Sequence, residues 1–261
     1  MKKLICLLTY FVFIQISIAQ NISDNSIRFA IIIPMMDESI GLLQALEKKQ
    51  SKTIDNMHYI EGILKGKKVV FTYAGLGKTN VSAITARLIH DYHPEFIFLS
   101  GSAGSINPRL NNHTVIIGSR LIDADLGTMT PQGSYFPLPE YFFTAQKNKS
   151  IPKSYVPQTR LLNAAKQFVG STSTCKIILG AIATSDILPN SAEQITLLKS
   201  NGIDGVEMEG TAFMQTCWLF NANCIVIRGV SNNADEKITK SDTIHAANNA
   251  VYLVENMLSV L

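Results

Sequence analysis

The sequence predicts an α/β fold: a three-layer αβα sandwich around a central mixed, largely parallel sheet. Short continuous apolar runs, such as residues 29–34 and 95–100, have the length and composition of strands buried on both faces. Stretches with helical spacing of apolar positions alternate with them, the order expected of a sheet covered by helices. The 261 residues, 46% of them hydrophobic, suffice for one domain with a substantial core and exclude a disordered or linker-type chain.

Taken in order, residues 29–34 form a first buried strand that stops at Pro34, and 39–48 have helical spacing. Residues 67–73 form a strand that runs into Ala74-Gly75-Leu76-Gly77-Lys78, followed by a helix over 79–90. The strand over 95–100 runs straight into Gly101-Ser102-Ala103-Gly104, and 113–120 is a further strand. Helices follow over 161–169 and 192–200, with a strand over 175–183 between them. An apolar helix spans 211–219, a last central strand 223–230 and a terminal helix 242–261. Residues 127–157 are rich in Pro, Tyr, Phe and Gly and have no period, as functional or interface loops do. No repeat or composition shift marks a second domain, so residues 20–261 are expected to form one.

Residues 1–19 read as a signal peptide. Lys2 and Lys3 precede an apolar run over 4–18, and Ser17-Ile18-Ala19 places small residues where a signal peptidase cuts. An uncleaved membrane anchor is the alternative, for which the run is short. Export to a periplasm or the exterior is expected, with no stable membrane association after cleavage. Losing the two lysines takes the net charge from +3 to +1, which gives no basis for nucleic-acid binding. Three cysteines then remain, an odd count. Cys217 and Cys224, at a helix end and a strand start, read as buried small apolar side chains rather than a bridge. No Cys/His cluster has zinc spacing, and no metal is expected.

The motifs that carry chemistry lie at predicted carboxyl ends of strands, where open α/β sheets bind ligands. In Gly205-Val206-Glu207-Met208-Glu209-Gly210, two carboxylates flank a methionine just before a helix. Acids suit a helix start in any protein. With an apolar wall between them they also suit a ligand that has a flat face and a hydroxylated part. Glu38, in Pro34-Met35-Met36-Asp37-Glu38, is either a solvated helix-start acid or a base able to deprotonate water. Gly75-Leu76-Gly77-Lys78 lacks the full spacing of a phosphate loop. Gly101-Ser102-Ala103-Gly104 offers backbone N–H groups to a ligand or makes an ordinary turn.

Val206-Glu207-Met208-Glu209 resembles the ribose-binding signature of the nucleoside phosphorylase/nucleosidase superfamily, above all its 5'-methylthioadenosine/S-adenosylhomocysteine nucleosidase branch. The 35–38, 75–78, 101–104 and 231–232 segments match further motifs in the same order, so the resemblance runs from about Arg28 to the C-terminus. It implies a nucleoside phosphorylase/hydrolase-like fold, a homodimer, a purine nucleoside substrate, no cofactor, and hydrolysis of the N-glycosidic bond. By the resemblance Glu38 activates water, although counting from Met36 instead of Met35 puts Ser39 there. Met35 packs on the ribose, and Leu76 lies near the ligand. Ser102, Ala103 and Gly104 line the base pocket, and Leu188 takes the base-stacking position. Glu209 binds the 2'- and 3'-hydroxyls, Met208 packs under the sugar, and Glu207 is a further ribose contact. Ser231 and Asn232 face the leaving base.

Asn232 is the departure, because the adenine-specific branch carries Ser-Asp there. Branches acting on 6-oxopurines, futalosine hydrolases among them, use asparagine near this role. Asp235 is not assigned the acid's part. The alternatives are therefore a 6-oxopurine nucleoside or futalosine hydrolase, a purine nucleoside phosphorylase, and a non-catalytic nucleoside-binding or storage protein. Against the phosphorylase, Phe96-Ile97-Phe98-Leu99-Ser100 offers no cation ahead of Gly101 to hold phosphate. By the resemblance, Ile122-Asp123-Ala124-Asp125 is a dimer-contact strand, and the loop over 129–139 is expected near the 5' substituent.

Overall fold

A computed structural model describes residues 26–129, 135–137, 151–187, 191–234 and 237–261. The expected leader, Leu188, Asp235 and most of the 129–139 loop lie outside the described residues.

Strand β1 (Phe29–Ile33) is followed by a single 3-10 turn (Met36–Ser39) and a short helix α1 (Ile40–Ala45). A hairpin of β2 (Glu47–Ile54) and β3 (Met57–Leu64) leads to β4 (Lys67–Tyr73) and helix α2 (Lys78–Tyr92). Next come β5 (Phe96–Ser105), β6 (Thr114–Asp123), the short pair β7 (Gly127–Met129) and β8 (Tyr135–Pro137), and α3 (Thr159–Lys166). The chain continues through β9 (Gly170–Ser171), β10 (Lys176–Thr184), α4 (Ala192–Ser200) and β11 (Gly205–Glu207). It ends with α5 (Gly210–Phe220), β12 (Cys224–Asn233) and α6 (Lys240–Met257).

The main sheet runs β11-β10-β6-β12-β5-β1-β4-β3-β2. Its central pairings, β1 with β4 and β5, and β5 with β12, are parallel, whereas β12 meets β6 antiparallel. β11 also pairs antiparallel with β5, so β5, β12, β6, β10 and β11 close into a ring at one end of the sheet. The α/β prediction holds, and the closure is an addition to it.

Alternation along β1 shows why helices cover both faces. Phe29, Ile31 and Ile33 pack with Ala250, Val251 and Val254 of α6 and Leu161 of α3. Ala30 and Ile32 point the other way, to Val81 and Leu88 of α2 and Phe213 and Met214 of α5. A third cluster under the ring joins Ile195 of α4 to Ala181, Ala183 and Val206.

The reading of Cys217 and Cys224 as unbridged is corrected: they form a disulfide, with Cα atoms 6.2 Å apart. The cause is the tight link between α5 and β12. Asn221 takes a left-handed conformation just past α5, and the chain folds straight back into β12. Cys217 and Cys224 therefore face each other within bridging range. Cys175 is a free, buried thiol.

Candidate active site

The carboxyl ends of β1, β4, β5, β11 and β12 surround one cavity of about 370 Å³. Met35, Glu38, Leu76, Ser102, Ala103, Gly104, Glu207, Met208, Glu209, Ser231 and Asn232 all line it, which is every described candidate.

Glu38 sits in the 3-10 turn after β1 and is buried. Its Oε1 accepts from the Ser102 backbone N–H and hydroxyl, both at 2.7 Å. Its Oε2 accepts a longer bond, 3.3 Å, from the Met35 N–H. The neighbour Ser39 turns away, with its hydroxyl 2.7 Å from the Met36 carbonyl and 2.9 Å from the Tyr73 hydroxyl. Of the two registers the sequence leaves open, the one that puts the acid on Glu38 places a carboxylate in the cavity. Met35 also lines the cavity, whereas Met36 is largely exposed.

Glu207 and Glu209 do different work, although they flank Met208 symmetrically in the sequence. Glu207 accepts from the Glu209 and Gly210 N–H groups at 2.7–2.9 Å, from the Thr184 hydroxyl and from Arg228. It satisfies the orphan donors at the start of α5, so its oxygens are already occupied. Glu209 accepts from the Gly77 N–H at 2.8 Å and from Arg228 at 3.1 Å. Burial pushes the Glu209 carboxyl up to about 7, with the Arg228 charge opposing and the Glu207 and Glu38 charges reinforcing the shift.

Arg228 is the charged site residue that sequence reasoning missed. It lies inside β12 and is 1% exposed. Burial alone would lower its pKa, but the charges of Glu207, Glu209 and Glu38 outweigh that and hold it above the ordinary arginine range. The run 96–100 ahead of Gly101 carries no cation, but β12 pairs Arg228 directly with Gly101. A Cβ on Gly101 would run into the Arg228 guanidinium and come within 3.1 and 3.2 Å of the two Glu38 oxygens. Glycine is required there by close approach, not by backbone angle. The signal was available in the sequence: an arginine after Ile225-Val226-Ile227, in a run that otherwise reads as buried strand, needs buried acids.

At the other wall, the Ser231 hydroxyl lies 2.7 Å from Asn232 Oδ1 and 3.2 Å from the Ala103 carbonyl oxygen. The Asn232 Nδ2 donates to the Asn233 carbonyl at 2.7 Å. Ile238 and Thr243, around the start of α6, complete the lining and were not anticipated. Taken together, the cavity holds three buried carboxylates, one arginine paired to two of them, and methionine and small residues around them.

This chain, with its ring-closed mixed sheet and carboxylates gathered at strand ends, belongs to the phosphorylase superfamily, whose family model matches residues 28–259. The chain is 30% identical over 240 residues to the 5'-methylthioadenosine/S-adenosylhomocysteine nucleosidase of Shewanella pealeana, covering 88% of this chain and 100% of that one. Among solved structures, the Neisseria meningitidis 5'-methylthioadenosine/S-adenosylhomocysteine nucleosidase in complex with methylthio-immucillin-A superposes with a TM-score of 0.75 at 26% identity, covering 89% and 99% of the two chains. The Helicobacter pylori futalosine hydrolase shares the fold, with a TM-score of 0.74 at 22% identity over 89% and 97%.

Proposed function

We propose that this chain hydrolyses the N-glycosidic bond of purine nucleosides, with water as nucleophile. The observation that carries the reading is the state of the charges. Glu38, which lines the cavity, is held through one oxygen by two bonds from Ser102 and through the other only by a longer bond from the Met35 N–H, while Arg228 is committed to Glu207 and Glu209. A phosphate dianion would meet three carboxylates and a cation already paired. A sugar gaining oxocarbenium character meets the same carboxylates as stabilising charge.

In this reading the diol hydroxyls donate to Glu209, which suits a carboxylate because both oxygens accept. Met208 and Met35 pack on the sugar. Glu207 acts on the ligand through Arg228 and the start of α5. The bond from the anomeric carbon to the base breaks with its electron pair leaving on the base. The water oxygen bonds to that carbon, Glu38 takes the water's proton, and the departing base takes a proton from solvent, since the Asn232 amide can donate a hydrogen bond but not a proton. Ser102, Ala103 and Gly104 face the base on one side. Ser231 and Asn232 face it on another, where an amide offers an N–H to N7 and either donates or accepts at the six-position.

Asn232 supports a second reading within the same class, preference for a 6-oxopurine base. An acid there would place its carboxylate form against the carbonyl oxygen, and an amide does not.

We further propose an exported homodimer. Export is supported by the leader pattern of residues 1–19 and by the Cys217–Cys224 bridge, since disulfides persist in oxidising compartments. Dimerisation is supported by the resemblance around Asp123 and Asp125.

The test is release of free base from adenosine, inosine, 5'-methylthioadenosine and futalosine, with and without phosphate. Release without phosphate is expected. Release only with phosphate would give the phosphorylase, and binding without release would give a nucleoside-binding protein.

A further inference from the structure

Outside the cavity lining, a second polar cluster joins the ends of β4, β6 and β10. The Lys78 ammonium group pairs with Asp123, at 3.2 and 3.3 Å from its two oxygens, and with Asp125. The Lys78 side chain is only 20% exposed. Burial alone would lower its pKa, but hydrogen bonding to Asp125 and the charges of Asp123 and Asp125 hold it above the ordinary lysine range. The other Asp125 oxygen accepts from the Asp186 N–H at 2.8 Å and lies 3.0 Å from the Ser185 hydroxyl. Asp186 closes the circuit, because its Oδ1 accepts from the Lys78 N–H at 3.0 Å. Backbone and side chain of Lys78 are thus both tied down.

The residue just before Lys78 is Gly77, whose N–H donates to Glu209 at 2.8 Å. Gly77 has φ +88°, a left-handed conformation that lets the turn aim this N–H inward. Ser185 N–H, on the other arm of the circuit, donates to the Glu207 carbonyl at 3.0 Å. The cluster therefore grips, from outside, the two segments that touch the Glu207–Glu209 strand end.

We propose that Lys78, with Asp125, is a positioning residue for Glu209: it fixes the Gly77 N–H against that carboxylate and so sets how well Glu209 accepts the hydroxyls of the substrate's sugar. The proposal rests on the nucleoside reading of the cavity. Glu209 is faced by Arg228 from β12, Glu207 from β11, Glu38 from the turn after β1, and the Gly77 N–H from the turn after β4. The Gly77 bond is among the forces that hold its pKa down. Diol hydroxyls donate to the ionised form, so riboside binding should weaken as the pH falls through the Glu209 pKa. Losing the Gly77 bond should move that limb to higher pH.

Two variants with opposite changes of charge separate positioning from simple electrostatics. Lys78→Met removes a positive charge, and through-space effects alone would raise the Glu209 pKa. Asp125→Ala removes a negative charge, and through-space effects alone would lower it. Positioning predicts the same direction for both: KM for a nucleoside raised about tenfold, kcat changed less, and the acid limb of kcat/KM moved to higher pH. Lys78→Arg, which keeps charge and donors, should recover most of the loss. Melting temperature and near-ultraviolet circular dichroism check that each variant is folded, and Asp125→Asn replaces the alanine if that variant does not fold. An acid limb that moves down or stays in place in the Asp125 variant overturns the proposal, as does a lowered melting temperature with unchanged KM and pH profile. Failure of the nucleoside reading itself would show separately, as a wild-type protein that neither binds nor cleaves nucleosides.

Discussion

The two oxygens of Glu38 keep different company, one bound twice by Ser102 and the other once, at longer range, by the Met35 N–H. That asymmetry is what a water-activating base needs: one oxygen for orientation, one for the proton. Glu38→Gln should keep the shape and the Ser102 bonds to the remaining oxygen while losing the base. Turnover should fall by about 10²–10⁴ with nucleoside binding within a few-fold by calorimetry. An unchanged kcat would remove Glu38 from the mechanism. Asn232 makes the specificity test. Asn232→Asp should raise kcat/KM for adenosine-type relative to inosine-type substrates, by an amount equivalent to about 1–3 kcal/mol, the cost of one misplaced buried hydrogen bond. A ratio that does not move would mean that position 232 does not read the base.

At this scale the sequence was legible wherever a residue's surroundings were its chain neighbours. Glu38, the Gly101–Gly104 end of β5 and the Glu207–Glu209 pair stand in contiguous motifs at strand ends. Arg228 was not legible in that way, because its partners come from β11 and the segment just after it, and Gly101 from β5. The difference between Glu207 and Glu209 was equally hidden. It depends on Thr184 and Gly77, each distant in the sequence.

Among the elements, β4 and α4 fall where apolar pattern and spacing put them, and most others shift by a few residues. β1 ends at Ile33, one residue before the predicted stop at Pro34. The β2–β3 hairpin was missed for a physical reason. Seven of the eight residues of β2, in Glu47-Lys48-Lys49-Gln50-Ser51-Lys52-Thr53-Ile54, are exposed, so no hydrophobic alternation betrays a strand. The predicted helix over 39–48 stops early, at Ala45, because the chain turns into that edge strand. Charged lysines on such an edge also discourage pairing with another chain. The disulfide belongs to this scale too, since it joins the far end of α5 to the first residue of β12. Replacing both partners, Cys217→Ala with Cys224→Ala, should cost about 2 kcal/mol, the chain-entropy value for so short a loop. The melting temperature should fall by roughly 5 °C while kcat/KM stays within a few-fold. A loss of activity at unchanged melting temperature would show that the bridge acts on the site rather than on the fold.

For the whole molecule, the expectation concerns processing and assembly together. Secreted material should have an intact mass corresponding to a chain that begins near Gln20, and light scattering should give twice the monomer mass. A monomer that keeps Met1 would contradict both.

The closure of the sheet has a consequence in time. β11 is only three residues long, and it joins β5 through just Gly205 with Ser105 and Val206 with Gly104, partners far apart in the chain. So short a pairing has few contacts to hold it. In the native state the same short seam should open ahead of the core, in a sub-global fluctuation that exposes the Gly104 and Val206 amides to exchange while those of β1 and β5 next to β12 stay protected. Ligand bound against Glu209 would hold that seam shut, so the opening of the sheet and the binding of substrate would be linked through the same few residues.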